Sequence, residues 1–85
     1  MFIVYILKSK VSNGYYIGYT TDIEKRLQYH NNGLNKSTRN KKPWILVYKE
    51  QYVSKSEALK REIFLKRQKN RSFYERLITG RSSDG

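Results

Sequence analysis

Asn13-Gly14 constrains this chain most, because it stands between two short β-prone runs and Asn-Gly favours the tight turns that join antiparallel strands. The first run, residues 2–7, is apolar apart from one phenol. The second, residues 15–20, is rich in tyrosine and closes on Thr20. A hairpin therefore opens the fold. Alternation of side chains places Tyr5 on the face of Ile3 and Leu7, and Tyr16 on the face of Gly18. Two phenols at matching positions on neighbouring strands can serve a core or a reaction, and the hairpin alone does not choose between them.

Downstream, Thr21 and Glu24 read as a capping box, and Ile23 and Leu27 recur one turn apart, so a helix is expected over residues 22–31, ended by Gly33. Residues 32–43 carry Lys36, Arg39, Lys41 and Lys42 among Asn, Ser and Thr with no hydrophobic period, and read as a mobile basic loop. Trp44 starts a third β-prone run that extends to Tyr52, with Pro43 at its entrance, where a missing N–H costs little. Ser54 with Glu57 opens a helix over residues 55–69. Ser72 with Glu75 opens a shorter one ending at Ile78 and stopped by Gly80. The order is β-β-α-β-α-α, an α+β fold in which helices flank a three-stranded antiparallel sheet. One domain over residues 1–80 and a frayed tail over 81–85 are expected.

A chain of 85 residues holds one small core and no second domain. Having no cysteine and one histidine excludes a disulfide framework, a thiol nucleophile and a Cys/His zinc site. Eighteen Lys plus Arg against seven Asp plus Glu leave a formal charge of +11, which points to a polyanionic partner, with nucleic acid ahead of an anionic membrane. The apolar residues 1–7 are too few to span a bilayer and lack the marks of a signal peptide, so a cytoplasmic protein, monomeric or weakly dimeric, is expected.

Three further residues stand out. Arg26 and His30 lie four apart on the first helix, near the side of Ile23 and Leu27 that should meet the sheet. A guanidinium fork suits a phosphate, and an imidazole exchanges protons near neutrality; equally, the pair can be a solvated arginine beside a helix-end histidine. Glu62 falls on the margin of the apolar stripe of the second long helix, where an unpaired carboxylate is disfavoured. It can bind a divalent cation, which takes hard oxygen ligands and often only one or two carboxylates, or pair with Lys66 one turn on. Glu57 serves as the cap partner and can reach Arg61. Gly18 either admits a close neighbour or is a plain strand glycine. Phosphate-loop, nucleophile-elbow and zinc-helix motifs are all missing.

In order, Val4-Tyr5-Ile6, Tyr16-Ile17-Gly18, Arg26, His30 and Glu62 resemble the GIY-YIG endonuclease superfamily, in particular its small single-domain bacterial members, over residues 2–78. The resemblance implies hydrolysis of nucleic-acid phosphodiesters, DNA above all, with one magnesium or manganese ion. Carried over residue by residue, it implies Tyr5 as general base, Tyr16 holding water or phosphate, Arg26 stabilising phosphate charge, His30 assisting Tyr5 and Glu62 binding the metal. A phenol with a pKa near 10 needs a nearby cation to serve as a base at neutral pH. The first motif departs from the family's pattern while keeping its tyrosine, and Asn70 sits closer to Glu62 than the family's late asparagine does. Nucleic acid would then be held by Lys36, Arg39, Lys41, Lys42, Arg61 and Lys66. The alternative is a non-catalytic nucleic-acid binding module with the same fold.

Overall fold

The computed structural model describes residues 1–80. Strand β1 (Phe2–Ser9) is followed by β2 (Tyr15–Thr20), helix α1 (Ile23–Asn31), a 3-10 turn (Arg39–Lys41), strand β3 (Trp44–Tyr52) and helices α2 (Lys55–Gln68) and α3 (Arg71–Thr79). The sheet order is β2-β1-β3 with both pairings antiparallel, the expected β-β-α-β-α-α arrangement. The expected tail, residues 81–85, lies outside the described residues.

The hairpin forms as its turn residues dictate. Asn13 takes the left-handed conformation (φ 61°) that Asn tolerates better than most residues. The amide of Ser9 donates to the Gly14 carbonyl at 2.9 Å, and that of Asn13 to the Ser9 carbonyl at 3.0 Å. The buried Ser9 hydroxyl accepts from the amides of Val11 and Ser12 and donates to the Lys41 carbonyl, tying the hairpin tip to the 3-10 turn. The stretch between α1 and β3 is thus neither without regular structure nor unattached, because backbone and side-chain partners replace the missing hydrophobic period.

Two of the three helix caps differ from the expectation. Asp22, not Thr21, caps α1 by accepting from the Lys25 amide at 3.1 Å, and Asn70, not Ser72, caps α3 by accepting from the Phe73 amide at 3.3 Å. Asp and Asn both cap at least as well as Ser or Thr, and in each case the helix starts one or two residues away from the hydroxyl. Ser54 caps α2 as expected. Lys69, expected to end α2 as a helical residue, is its left-handed C-cap (φ 45°). Its amide donates to the Tyr74 hydroxyl, which donates to the Leu65 carbonyl and closes the α2–α3 corner.

The two sheet faces bury different partners. Val4, Ile6 and Ile17 pack with Ala58 and Leu65 of α2 and Tyr74 of α3; Tyr5, Leu7 and Trp44 pack with Tyr16, Leu46 and, from α1, Ile23 and Leu27. A bulge sorts β3 between them. Ile6 pairs with Tyr48 but Leu7 with Leu46, so Val47 is the extra residue and the alternation shifts by one. Trp44 and Leu46 therefore face α1, while Val47, Tyr48 and Tyr52 face the other two helices.

Candidate active site

The site forms on the α1 face. Tyr5, at the middle of the central strand, is 2% exposed and stands opposite Gly18 of β2. A Cβ built on Gly18 would lie 2.6 Å from the Tyr5 hydroxyl oxygen and 2.8 Å from its Cζ. The glycine is thus the floor on which the phenol rests, and the close neighbour it admits is this side chain.

From the phenol a chain of polar contacts runs to the basic loop. Tyr5 Oη lies 3.2 Å from His30 Nε2, and His30 Nδ1 lies 2.8 Å from Thr38 Oγ1. The Trp44 indole donates to the Thr38 carbonyl at 2.9 Å. Asn31, next to His30, uses its amide twice on the Trp44 backbone, accepting from N–H and donating to C=O. These bonds bring the end of α1, the loop and the start of β3 to one place. Aromatic rings surround the imidazole: Tyr16 at 4.8 Å and Tyr29 at 5.5 Å between centroids, with Trp44 edge-on to Tyr16.

Arg26, one turn before His30, lays its guanidinium over Tyr29 at 5.0 Å and lines two open grooves. One groove is shared with Thr20, Asp22, Lys25 and Tyr29, the other with Phe2, Thr21 and Lys55. In the second, Arg26 and Lys55 face no acidic lining residue, which suits an anionic ligand.

Electrostatics link these groups. Burial pushes the Tyr5 phenol well above its ordinary pKa; negative charge on Tyr16 and Glu62 adds to this, and Arg26 opposes it. Burial, then the Arg26 charge, holds His30 below its ordinary pKa, so the imidazole is neutral at pH 7. Tyr5 therefore senses a cation from α1 and an anion from α2, the two helices on opposite faces of the sheet.

Glu62 is 13% exposed in its side chain and meets Lys66 at 3.2 Å, a lysine whose own side chain is 53% exposed. The expected ion pair is present, yet its lysine is a mobile and replaceable partner for a nearly buried carboxylate. Among the described residues no group of three or more His, Cys, Asp or Glu gathers, so a metal here would rest on this one carboxylate, on other oxygens and on water. Magnesium accepts a donor set with one carboxylate and several waters, so Glu62 is the side chain that would hold it.

Of the residues expected to hold nucleic acid, Lys36, Arg39, Lys41 and Lys42 are exposed on the loop between α1 and β3. Arg61 is not available in the same way. Its guanidinium grips Glu50 of β3 through Nε at 2.9 Å and Nη2 at 3.0 Å, and the Tyr48 and Tyr52 hydroxyls donate to the same carboxylate. This corrects the expected Glu57–Arg61 pair, since the partner of Arg61 is Glu50. The bulge in β3 aims Glu50 at α2, where the planar fork of Arg61 meets its carboxylate through two parallel bonds. Lys66 is tied to Glu62. Asn70, whose place in the site was open, is engaged as the α3 cap.

Sequence reasoning missed Thr38, Tyr29 and Lys49. Thr38 is buried at the end of the polar chain, Tyr29 carries Arg26, and Lys49 pairs with Tyr5 across β1 and β3. Only Tyr29 had a signal, its place between Arg26 and His30.

Residues 1–76 match the GIY-YIG catalytic domain family. The chain belongs to that family. Among its relatives, this GIY-YIG protein is 48% identical over 64 residues to a UPF0213 protein of Staphylococcus haemolyticus, covering 74% of this chain and 77% of that one. It is 45% identical over 67 residues to a UPF0213 protein of Streptococcus pneumoniae, covering 78% and 67%. The solution structure of a UPF0213 protein from Bacillus halodurans superposes with a TM-score of 0.59 at 35% identity, covering 98% of this chain and 88% of that one. The GIY-YIG domain thus accounts for the fold and for the order of the tyrosine segments.

Proposed function

We propose that this GIY-YIG protein is a divalent-metal-dependent endonuclease that hydrolyses phosphodiester bonds of nucleic acid, DNA above all. The observation that carries the reading is that residues far apart in sequence gather at one phenol: Tyr5 lies 3.2 Å from His30 Nε2, and Tyr16 packs on the same imidazole. A buried core tyrosine has no need of that company.

In this reading Arg26, steered by its stack on Tyr29, binds the scissile phosphate and offsets the charge that builds on it in the transition state. Tyr16 holds the phosphate or the attacking water against the ring of His30. Tyr5, as phenolate, takes a proton from that water, and His30 stabilises the phenolate. Magnesium or manganese bound at Glu62 would supply positive charge that favours the phenolate and polarises the phosphate. Lys36, Arg39, Lys41 and Lys42 hold the flanking backbone through salt-sensitive contacts.

The test is cleavage of nicked, branched, single-stranded and duplex substrates with magnesium or manganese, beside Glu62→Ala. Metal-dependent cutting by the wild type and none by a folded, nucleic-acid-binding Glu62→Ala protein supports the reading; no cutting of any substrate sinks it. A second reading, a binding module that does not cut, draws on the upward push on the Tyr5 pKa, which without a cation keeps the phenol protonated. Binding without cleavage would favour it.

A further inference from the structure

We propose that Thr38 is a positioning residue: its hydroxyl donates to Nδ1 of His30 and holds the ring proton on Nε2, so that His30 meets Tyr5 as a hydrogen-bond donor and not as a base. The inference rests on the nuclease reading only for what the phenolate does.

Three polar groups stand in line, Thr38 Oγ1, the imidazole and Tyr5 Oη, with two contacts between them. A neutral imidazole carries one proton and each hydroxyl one, so three protons serve two hydrogen bonds and one hydroxyl proton points elsewhere. If Nδ1 carried the proton, Tyr5 would donate to Nε2 and the proton left over would be that of Thr38. Thr38 is 1% exposed, sealed between α1 and β3, and His30 Nδ1 is the one partner of its hydroxyl among the described hydrogen bonds. A buried donor without an acceptor is disfavoured. With the proton on Nε2, Thr38 donates to Nδ1, Nε2 donates to Tyr5, and the proton left over is that of Tyr5. Tyr5 is buried as well, with His30 as the one partner of its hydroxyl among the described hydrogen bonds, so the distances decide: 3.2 Å at Nε2 is long for an O–H donor and ordinary for an N–H donor, whereas 2.8 Å at Nδ1 suits a donating hydroxyl. The proton left over on Tyr5 is the one that, in the proposed reaction, has to leave.

The same arrangement suits ionisation. Once Tyr5 loses its proton, an Nε2–H already pointing at the oxygen stabilises the phenolate without a charged imidazole, and a charged imidazole is what burial and Arg26 oppose. With the opposite tautomer the phenolate would face a nitrogen lone pair. Thr38 can hold this geometry because its carbonyl is fastened to the Trp44 indole and its amide to the Asn35 carbonyl.

Having a single histidine makes the test direct. Long-range proton–nitrogen NMR on uniformly nitrogen-15-labelled protein without metal or nucleic acid, at pH 8, reads one imidazole and reports which nitrogen is protonated. The expected spectrum has the proton on Nε2 and a bare Nδ1; a proton on Nδ1 overturns the proposal. Thr38→Val should lose the single-tautomer pattern and draw the two nitrogen shifts together, while Thr38→Ser keeps the wild-type pattern. A folded Thr38→Val protein with an unchanged spectrum also overturns the positioning role. If that variant does not fold, the wild-type and Thr38→Ser spectra decide. Because no substrate is present, a protein that cuts nothing can still confirm the tautomer, which separates failure of this inference from failure of the nuclease reading.

Discussion

The ring of Tyr5 lies on the α-carbon of Gly18, its partner across the first two strands, so closely that no side chain fits between them. Gly18→Ala would put a methyl within 2.6 Å of the phenol oxygen. The ring is packed between strands and helix and has little room to retreat. Overpacking of this kind costs about 1–3 kcal/mol, and a domain of this size loses roughly 4–8 °C of melting temperature per kcal/mol. We expect a folded, less stable protein in which the Tyr5–His30 contact is broken and cleavage falls at least tenfold. Thermal melting together with the His30 NMR signals checks both effects; unchanged His30 shifts would show that the ring yields freely.

Arg61 and the loop lysines should behave differently in binding. Arg61 is held by Glu50, so Arg61→Ala should leave the salt dependence of nucleic-acid binding nearly unchanged while lowering stability by about 1.5–3 kcal/mol, the scale for hydrogen bonds to charged groups. Lys36→Ala, Arg39→Ala, Lys41→Ala or Lys42→Ala should each reduce the slope of log affinity against log salt by about 1 where the side chain meets a phosphate. Urea unfolding and salt titrations of the same variants separate the two roles.

Lys66 competes with any cation for Glu62. Removing it by Lys66→Ala should raise affinity for magnesium or manganese by up to about fivefold, because an ion pair whose lysine is exposed contributes about 0.2–1 kcal/mol. Manganese titration followed by paramagnetic broadening of signals near Glu62 measures it. Weaker metal binding in this variant would mean that the lysine supports the site and does not compete with the metal.

Acid and alkali should act through different groups. His30 has its pKa lowered on folding, so the unfolded chain binds its proton more readily; stability is then full above about pH 6.5 and falls as pH drops from there toward the folded value. Tyr48 and Tyr52, pushed up to about 12 by burial and by their bonds to Glu50, have the opposite sign. Their contribution is full below about pH 10 and is lost as pH rises through the folded value. Urea midpoints measured from pH 5 to 11 should fall at both ends. His30 titrating by NMR at or above pH 6.5 would contradict the acid limb.

Local signals carried much of the fold. The Asn13-Gly14 turn, the β-branched and aromatic runs and the polar residue ahead of each helix announce every strand and helix in order, because each depends on residues within a few positions. Tyr5, Tyr16, Arg26, His30 and Glu62 were legible as a family pattern, and Arg26 with His30 also as one helix face. What no local pattern held is where β3 changes faces. The extra Val47 sends Trp44 toward Thr38 and Glu50 toward Arg61, an ion pair that no local pattern announces.

By itself, then, the sequence determined the order of elements, the hairpin, the cationic character and the residue types that can attack a phosphate, since propensity, charge and chemistry belong to residues. Only the tertiary structure decided which of those residues meet. Tyr5 stands 3.2 Å from the one histidine, Arg61 is held by Glu50, and a threonine from a loop with no hydrophobic period stands 2.8 Å from that same histidine. Such pairings are set by strand register, one bulge and the competition of each polar group for a partner away from water, all of which come into being only when distant segments pack.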